Sequence, residues 1–335
     1  MDTAGDPLVS VIVPVFNAAR FLTRCLEALA AQTLTSMEII AVDDGSTDDS
    51  ADILAVAQSR GLRVISHEQN QGVSAARNAG IDAARGRYLA FVDADDVPSP
   101  DMYRKLTEVA EASGADVVMC GLRVVDEDGN ILATEPSPLT PQVVYDTEAL
   151  RRALAHAWTT RMLWYPFRSL YRREHVAKRQ VRFDEGIRKG EDSLFNLQVL
   201  STAKRVIAIP DALYDYVKHQ GSATARPLSS ESDNLERLGR AVASCYVTHG
   251  FAHSGEDDFY RQVLRSDLPT AVVRLQQHSN ARREVSSLLD TRTVREAFRT
   301  QRISRLGVPG RVAVLLVLLR GHHLRAVSWL LRVAR

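Results

Sequence analysis

Hydrophobic and polar positions follow two alternating patterns over the first 120 residues. Short, β-branched apolar runs are typical of strands buried on both faces of a parallel sheet. They predict strands at residues 8–15, 37–42, 62–66, 88–92 and 115–120. Apolar side chains at helical spacing between these runs predict helices at residues 18–32, 49–59, 73–85 and 101–113. Strand and helix in this alternation predict a doubly wound α/β fold.

The pattern changes beyond residue 120. Residues 126–145 hold three prolines and the sequence DEDG, which predict an irregular hairpin and loop. A helix is predicted at about 146–157, and residues 164–173 and 181–226 are expected to complete a cleft. From residue 229 onward the pattern is mostly helical. We therefore expect an α/β domain over 1–228 and a helical region over 229–335.

Composition narrows the class of protein. The chain has 335 residues, of which 45% are hydrophobic and 25% charged, the balance of a globular protein. The net charge of +1 gives no overall field for nucleic acid, so no nucleic-acid partner is expected. Cys25, Cys120 and Cys245 form no CxxC pair and are interpreted as isolated thiols in a reducing compartment.

The two ends of the chain bear on localisation. The N-terminal residues lack the basic and apolar regions of a signal peptide, and the longest apolar run, 312–319, is too short to span a bilayer. We expect a cytoplasmic protein. No acidic residue follows Glu296, whereas arginines recur among leucines and Trp329. This pattern favours peripheral contact of residues 299–335 with an anionic membrane at its inner face. Packing on the protein body or on a second copy, as a homo-oligomer, is the alternative.

Acidic residues follow two of the predicted strands. Asp93-Ala94-Asp95 comes after one strand, and Asp43-Asp44 after another. Ligands of such sheets bind beyond the carboxyl ends of the strands. Carboxylate oxygens suit hard divalent ions, so a Mg²⁺ or Mn²⁺ ion that neutralises a nucleotide diphosphate would fit at Asp93-Ala94-Asp95. An aspartate of the other run can accept a hydrogen bond from a base or ribose. Taken alone, each run is also explained as an aspartate-rich turn.

Three further segments carry candidate chemistry. Arg77 lies among small residues and is suited to phosphate or to an aspartate. Glu191 and Asp192 precede an apolar helix, where a carboxylate can act as general base or simply cap the helix. Lys218 is a candidate phosphate contact. His219 is either a metal ligand or a residue of a solvated loop, and the sequence leaves both open.

Taken in order, these segments resemble the family 2 glycosyltransferases of the GT-A fold. The matching stretches are VSVIVPVFN, IIAVDDGSTDDS, NQGVSAARNAG, GRYLAFVDADD and GEDSLFNLQVLSTAKRV. Five ordered motifs are far more specific than any one of them. The resemblance implies a GT-A domain over 1–228, with a Rossmann-like, mostly parallel central sheet flanked by helices. The C-terminal extension would be mostly helical.

The resemblance also implies residue roles. Asp192 would be the catalytic base with Glu191 supporting it, and a single base with direct displacement implies inversion. Asp95 would hold the divalent metal, joined by His219 if that residue is a ligand. Arg77 would support the base-binding Asp43 or the phosphates. The donor pocket would comprise Pro14, Phe16, Asn17, Asp43, Asp44, Gly45, Arg77, Asp93 and Ala94, with Lys218 added from its own motif.

The function expected on this basis is transfer of a hexose or N-acetylhexosamine from a UDP-sugar. The acceptor would be a hydroxyl of a glycan or lipid-linked molecule in cell-surface polysaccharide synthesis. A nucleotidyltransferase that makes nucleotide-sugars and a non-catalytic nucleotide-sugar binding module are the alternatives. Arg168 stands where many relatives have a neutral residue, which leads to the hypothesis that it favours an anionic acceptor.

Overall fold

The computed structural model describes residues 6–219, 228, 230–250, 254–275, 280–321, 323, 324 and 327. These residues form two compact units. The first comprises residues 6–150, Leu163–Glu185 and residues 191–219. The second comprises Arg151–Met162, Gly186–Gly190 and the described residues beyond 220.

The first unit is built on one sheet, which has ten strands among the described residues. The strands are β1 Val9–Val15, β2 Met37–Asp43, β3 Arg63–Ser66, β4 Tyr88–Phe91, β5 Val97–Pro98, β6 Val117–Val125, β7 Ile131–Glu135, β8 Val144–Asp146, β9 Ser169–Arg172 and β10 Arg205–Val217. Their order is β3-β2-β1-β4-β9-β6-β10-β5, with β7 beside β6 and β8 beside β10. The helices up to residue 202 are α1 Ala19–Ala30, α2 Ser50–Gln58, α3 Val73–Ala83, α4 Met102–Ser113, α5 Thr147–Leu154, α6 Arg173–Lys178 and α7 Glu191–Thr202.

Strand β1 lies at the centre of the parallel half of the sheet. Every residue of β1 is buried, and the strand pairs in parallel with β2 and β4. Helix α3 covers this strand at very close range, since a Cβ added to Gly80 would lie 2.3 Å from Ile12 Cγ2. The continuous apolar run of β1 therefore reflects a strand with both faces covered. Because β1, β2 and β4 are parallel, their carboxyl ends meet at one edge of the sheet.

The predicted α/β order is confirmed as far as α4, with boundaries within three residues. Strand β6 extends five residues beyond the predicted end at residue 120. Of the hairpin and loop predicted at 126–145, the turn and β7 lie within that range, but β7 pairs antiparallel with β6, which ends before it. The later part of the sheet is mixed, because β4 and β6 both pair antiparallel with β9 while β6 pairs parallel with β10. These pairings join segments far apart in sequence, which local hydrophobic periodicity cannot specify.

The second unit is helical where it is described beyond residue 229, as predicted. Its helices there are α8 Glu231–Thr248, α9 Ser254–Gln262, α10 Leu268–Leu275, α11 Ala281–Asp290, α12 Arg292–Thr300 and α13 Gly310–Arg320. A π-helical turn, Val263–Asp267, separates α9 from α10. No helix in the described part of the chain combines the length and apolarity that a bilayer crossing requires. Cys25, Cys120 and Cys245 are buried and form no disulfide in the described part of the chain, in agreement with their interpretation as isolated thiols.

Candidate active site

The carboxyl end of β1 is joined to the loop after β2 by short hydrogen bonds. Pro14 is buried within β1, and Phe16, just beyond it, is 41% exposed. Asn17 adopts a positive φ of 50°. Its side-chain oxygen accepts a hydrogen bond from the backbone N–H of Thr47 at 2.8 Å, and its own N–H donates to Ser46 Oγ at 3.1 Å. The exposed phenyl ring is thus held beside the end of β2.

The two aspartates at the end of β2 have different surroundings. The Asp43 carboxylate accepts a hydrogen bond from the backbone N–H of Ser46 at 3.0 Å. Asp44 is only 2% exposed, and its carboxylate lies within 2.9 Å of three nitrogen atoms. These belong to the His67 ring and to the backbone N–H groups of Gln71 and Gly72. Asp44 therefore braces the loop before α3, beside the aspartate expected to contact the base.

Glycine is required at position 45 because the turn after β2 lies very close to the loop before α3. Its φ is +72°, a conformation that L side chains rarely adopt. A Cβ at this position would lie 2.7 Å from the backbone carbon of Gln69. The turn after β2 can therefore reach the loop before α3 only with glycine here.

Arg77 joins the end of β4 to the start of α7. Its side chain is buried, with Nη2 donating to Asp93 Oδ1 at 2.9 Å and Nη1 donating to Asp192 Oδ1 at 2.6 Å. Glu191 Oε1 lies 3.7 Å from the same Nη1, and the guanidinium carbon lies 5.1 Å from the centre of the Phe183 ring. The guanidinium thus holds together the carboxylates of Asp93, after β4, and Asp192, in α7.

The charges around Arg77 shift the ionisation of their neighbours. Burial alone would lower the pKa of Arg77, but Asp192, Asp93 and Glu191 outweigh it and raise that pKa above its ordinary value. Burial and the negative charge of Asp192 raise the pKa of Glu191 to about 8, against the opposing effect of Arg77. Burial also raises the pKa of Asp93. One cation therefore faces a group of carboxyl side chains, in which Glu191 takes up a proton near neutral pH.

Asp95, in the turn that follows β4, is in contact with His219. Asp95 Oδ2 lies 2.8 Å from His219 Nε2, and the His219 ring centre lies 4.4 Å from that of Phe21. Lys218 is exposed and is fixed through its backbone N–H, which donates to the Val125 carbonyl at 2.8 Å. The structure thus brings the two expected metal ligands into direct contact.

Asp96 and Tyr214 belong to this arrangement although the sequence interpretation gave them no role. Asp96 is fully buried and accepts hydrogen bonds from the Tyr214 hydroxyl and the Val217 N–H, both at 2.8 Å. The Tyr214 oxygen also accepts from the Asp93 N–H at 3.2 Å. These bonds fix the turn around the buried Ala94 against the end of β10. The acidic run DADD was the available signal, but it does not show which carboxylate faces inward.

The hypothesis that Arg168 attracts an anionic acceptor is wrong. The residue is 2% exposed, and its guanidinium carbon lies 5.6 Å from the centre of the Tyr165 ring. Desolvation lowers the pKa of Arg168. A cation buried behind an aromatic ring is part of the packing of this segment and does not present its charge to a ligand.

Comparison with known proteins places this geometry in a family. The model of Glycosyl transferase family 2 matches residues 10–177. An uncharacterized glycosyltransferase of Bacillus subtilis (strain 168), EpsJ, is 36% identical over 299 residues, covering 88% of this chain and 86% of its own length. The succinoglycan biosynthesis protein ExoO of Rhizobium meliloti (strain 1021) is 32% identical over 254 residues, covering 73% of this chain and 71% of its own.

Solved structures show the same fold at lower sequence identity. The complex of S. aureus TarS (residues 1–349) with UDP has a TM-score of 0.67 at 20% identity, covering 97% of this chain and 90% of the other. A mannosyltransferase of Pyrobaculum calidifontis, in complex with GDP-Man and Mn²⁺, has a TM-score of 0.56 at 17% identity, covering 96% and 87%. The fold is therefore of the GT-A type, as expected. The family match over residues 10–177 and the 36% identity to EpsJ show that the chain belongs to glycosyltransferase family 2.

Proposed function

We propose that this glycosyltransferase moves a hexose or N-acetylhexosamine from a UDP-sugar to a hydroxyl group, with inversion at the anomeric carbon. The acceptor is a glycan or a lipid-linked molecule in cell-surface polysaccharide synthesis. The observation that carries the proposal is the bridge made by Arg77. It holds Asp192 beside Asp93, so a carboxylate able to accept a proton lies next to the edge where β1, β2 and β4 end.

The donor would bind along that edge. The exposed ring of Phe16 offers an apolar face to a base, with Pro14 and Asn17 beside it. Asp43 would accept a hydrogen bond from the base, with Asp44 and Gly45 keeping the loop in place. The exposed Lys218 lies next to His219 and would meet the diphosphate. Solved structures with this fold include complexes with UDP, UDP-GlcNAc and GDP-Man, which supports a nucleotide-sugar donor.

Asp192 would act as the general base. Its hydrogen bond with Arg77 orients the carboxylate, and its place in the first turn of α7 is the favourable end of the helix dipole for a negative charge. As the acceptor hydroxyl attacks the anomeric carbon, its proton passes to Asp192 and the bond to the diphosphate breaks. Attack from the face opposite the leaving group inverts the configuration.

A divalent ion, Mg²⁺ or Mn²⁺, fits the chemistry of the Asp95–His219 pair. Asp95 Oδ2 and His219 Nε2, which lie 2.8 Å apart, would hold the ion, and a carboxylate oxygen is a ligand that suits both ions. No cluster of three or more such ligands occurs among the described residues. Mg²⁺ commonly keeps waters and substrate phosphates beside one or two protein ligands. When bound, the ion would stabilise the departing diphosphate as a Lewis acid.

The test is a donor panel. The full-length protein is incubated with UDP- and GDP-sugars, and release of the nucleoside diphosphate is measured with EDTA and after Mg²⁺ or Mn²⁺ is added back. We expect UDP release that EDTA abolishes and that falls at least about 100-fold in Asp192→Asn, the range for loss of a general base. Full turnover in Asp192→Asn would show that Asp192 is not the general base, whereas nucleotide-sugar binding without turnover in the parent would favour the non-catalytic alternative. Pyrophosphate release from a nucleoside triphosphate would instead favour nucleotidyl transfer.

We also propose that the C-terminal segment contacts an anionic membrane. Arg302, Arg305 and Arg320 are exposed, and Val314 and Val317 on α13 are 49% and 56% exposed. An apolar stripe among arginines suits an anionic interface. Residues 328–335 of the expected segment, with Trp329, lie outside the described residues.

The membrane proposal has its own experiment. Flotation with phosphatidylglycerol vesicles should fall when the three arginines are changed to glutamine. Equal flotation of the variant and the parent would refute the proposal. A dimer found by light scattering and lost in the same variant would favour a second copy at this surface instead.

A further inference from the structure

Two neighbouring aromatic residues, Trp164 and Tyr165, stand at the surface of the first unit in a strained segment. Both side chains are partly exposed, and their ring centres lie 5.9 Å apart at 89°. Tyr165 has φ 64° and ψ 77°, a conformation that is a true outlier for a bulky side chain. Such strain costs about 1–3 kcal/mol and is concentrated at ligand-binding sites. The strained backbone at Tyr165 therefore suggests that the two rings have a functional role.

The segment is fastened to the helix that carries the proposed base. Asn196 is fully buried in α7, and its Nδ2 donates to the Leu163 carbonyl at 2.9 Å. Its Oδ1 lies 2.6 Å from the Tyr171 hydroxyl, which also lies 3.2 Å from the Pro166 carbonyl. Asp192 and Asn196 are four residues apart, so they share one face of α7. The residue directly before Trp164 is therefore bonded to the turn of α7 that follows the base.

On its other side, the segment is stacked on the strand that leads to His219. The Tyr165 ring lies 5.1 Å from Phe167 at an interplanar angle of 27°, and Phe167 lies 4.2 Å from Tyr214 at 12°. Tyr165 also lies 6.0 Å from Tyr216. The segment that carries the aromatic pair is thus attached to α7, which supplies Asp192, and to the end of β10, two residues before His219.

We propose that Trp164 and Tyr165 form the subsite that binds a pyranose ring of the acceptor. The C–H groups on one face of a pyranose are weakly positive, and the face of an aromatic ring is negative, so the two attract when stacked. A ring held next to Asp192 presents its hydroxyl to the base. The strained backbone at Tyr165 keeps both side chains in place before the sugar arrives. This inference rests on the proposed glycosyl transfer and names the class of its acceptor.

The test measures saccharide binding directly. Saturation-transfer NMR is recorded on the UDP-loaded full-length protein with cellobiose, lactose and chitobiose as probes. We expect binding of at least one probe, weakened about two- to tenfold in Trp164→Ala, which corresponds to the stacking of one aromatic ring. Trp164→Phe should restore most of the binding, because it keeps an aromatic face. Tyr145→Ala is the matched control, since this half-buried tyrosine lies on β8, opposite Val206 of β10.

The outcomes separate this subsite from the proposed function. UDP affinity, measured on each variant, should match that of the wild-type protein and so show an intact donor site. Saccharide binding that Trp164→Ala and Tyr145→Ala weaken equally, or that neither weakens, would overturn the subsite. Failure of the wild-type protein to bind any probe would also overturn it. Absence of turnover with every nucleotide-sugar would refute the proposed function itself.

Discussion

Replacing Arg77 with methionine tests the centre of the site, because it removes the charge while keeping much of the volume. The guanidinium is 3% exposed and lies within 3.7 Å of the carboxylates of Asp93, Glu191 and Asp192. Removing one member of a buried ion pair costs about 3–5 kcal/mol, because the partner charge is left uncompensated. Three carboxylates share this cation, so we expect a loss of at least about 3 kcal/mol.

The assay is urea unfolding together with thermal unfolding. A loss of about 3 kcal/mol corresponds to a fall in Tm of about 6–12 °C for a unit of 150–250 residues. The difference in the free energy of unfolding between Arg77→Met and the parent should be larger at pH 8 than at pH 5. At the lower pH protons neutralise part of the carboxylate group that the cation no longer balances.

Arg104 provides the matched control on α4. It forms ion pairs with Asp101 at 3.0 Å and Glu108 at 2.9 Å, but all three side chains are exposed. Exposed pairs contribute about 0–1 kcal/mol, so Arg104→Met should be nearly neutral. Equal losses in Arg77→Met and Arg104→Met would refute the reasoning, since burial would then have no effect on the cost.

Three further predictions concern single groups. Burial raises the pKa of Glu191 to about 8, so ionising this carboxyl costs free energy in the folded state. The resulting loss of stability is absent below the ordinary pKa of 4.5 and grows until the pH passes 8. Unfolding measured between pH 4.5 and 8 should therefore show that Glu191→Gln becomes more stable than the parent as the pH rises. If the free energies of unfolding of the two proteins changed in parallel with pH, the raised pKa of Glu191 would be contradicted. Tyr214→Phe removes one of the two hydrogen-bond donors of the buried Asp96 and leaves only the Val217 N–H, so calorimetry should show a loss of about 1–3 kcal/mol. An unchanged Tm would show that the Tyr214–Asp96 bond does not contribute to stability. Gly45→Ala should lower both Tm and UDP affinity, whereas Gly114→Ala, with φ +68° but no atom within 4 Å, should lower Tm only slightly. Equal losses would show that the close loop approach at Gly45 is unimportant.

Much of the fold followed from local pattern. The strands β1, β2 and β4 were predicted because strands covered on both faces have nearly continuous apolar runs. Asp43 and Asp93 could be placed near each other because parallel strands end at a common edge. The antiparallel strand β9 was not predicted, since it pairs with β4 and β6 through contacts of long sequence separation. Propensity over a short window carries no information about such partners.

The sequence by itself determined which chemical groups the site contains, because carboxylates, Arg77 and glycine stand at strand and helix ends in a recognisable order. Tertiary structure decided what each group does. Arg77 meets Asp192, 115 positions away, only because α3 and the start of α7 lie together. Asp44 and Arg168 proved to be buried, the first among backbone donors and the second behind an aromatic ring. Burial and hydrogen-bond partners come from the packing of distant segments, and those two quantities fix whether a charge is presented to a ligand or used within the protein.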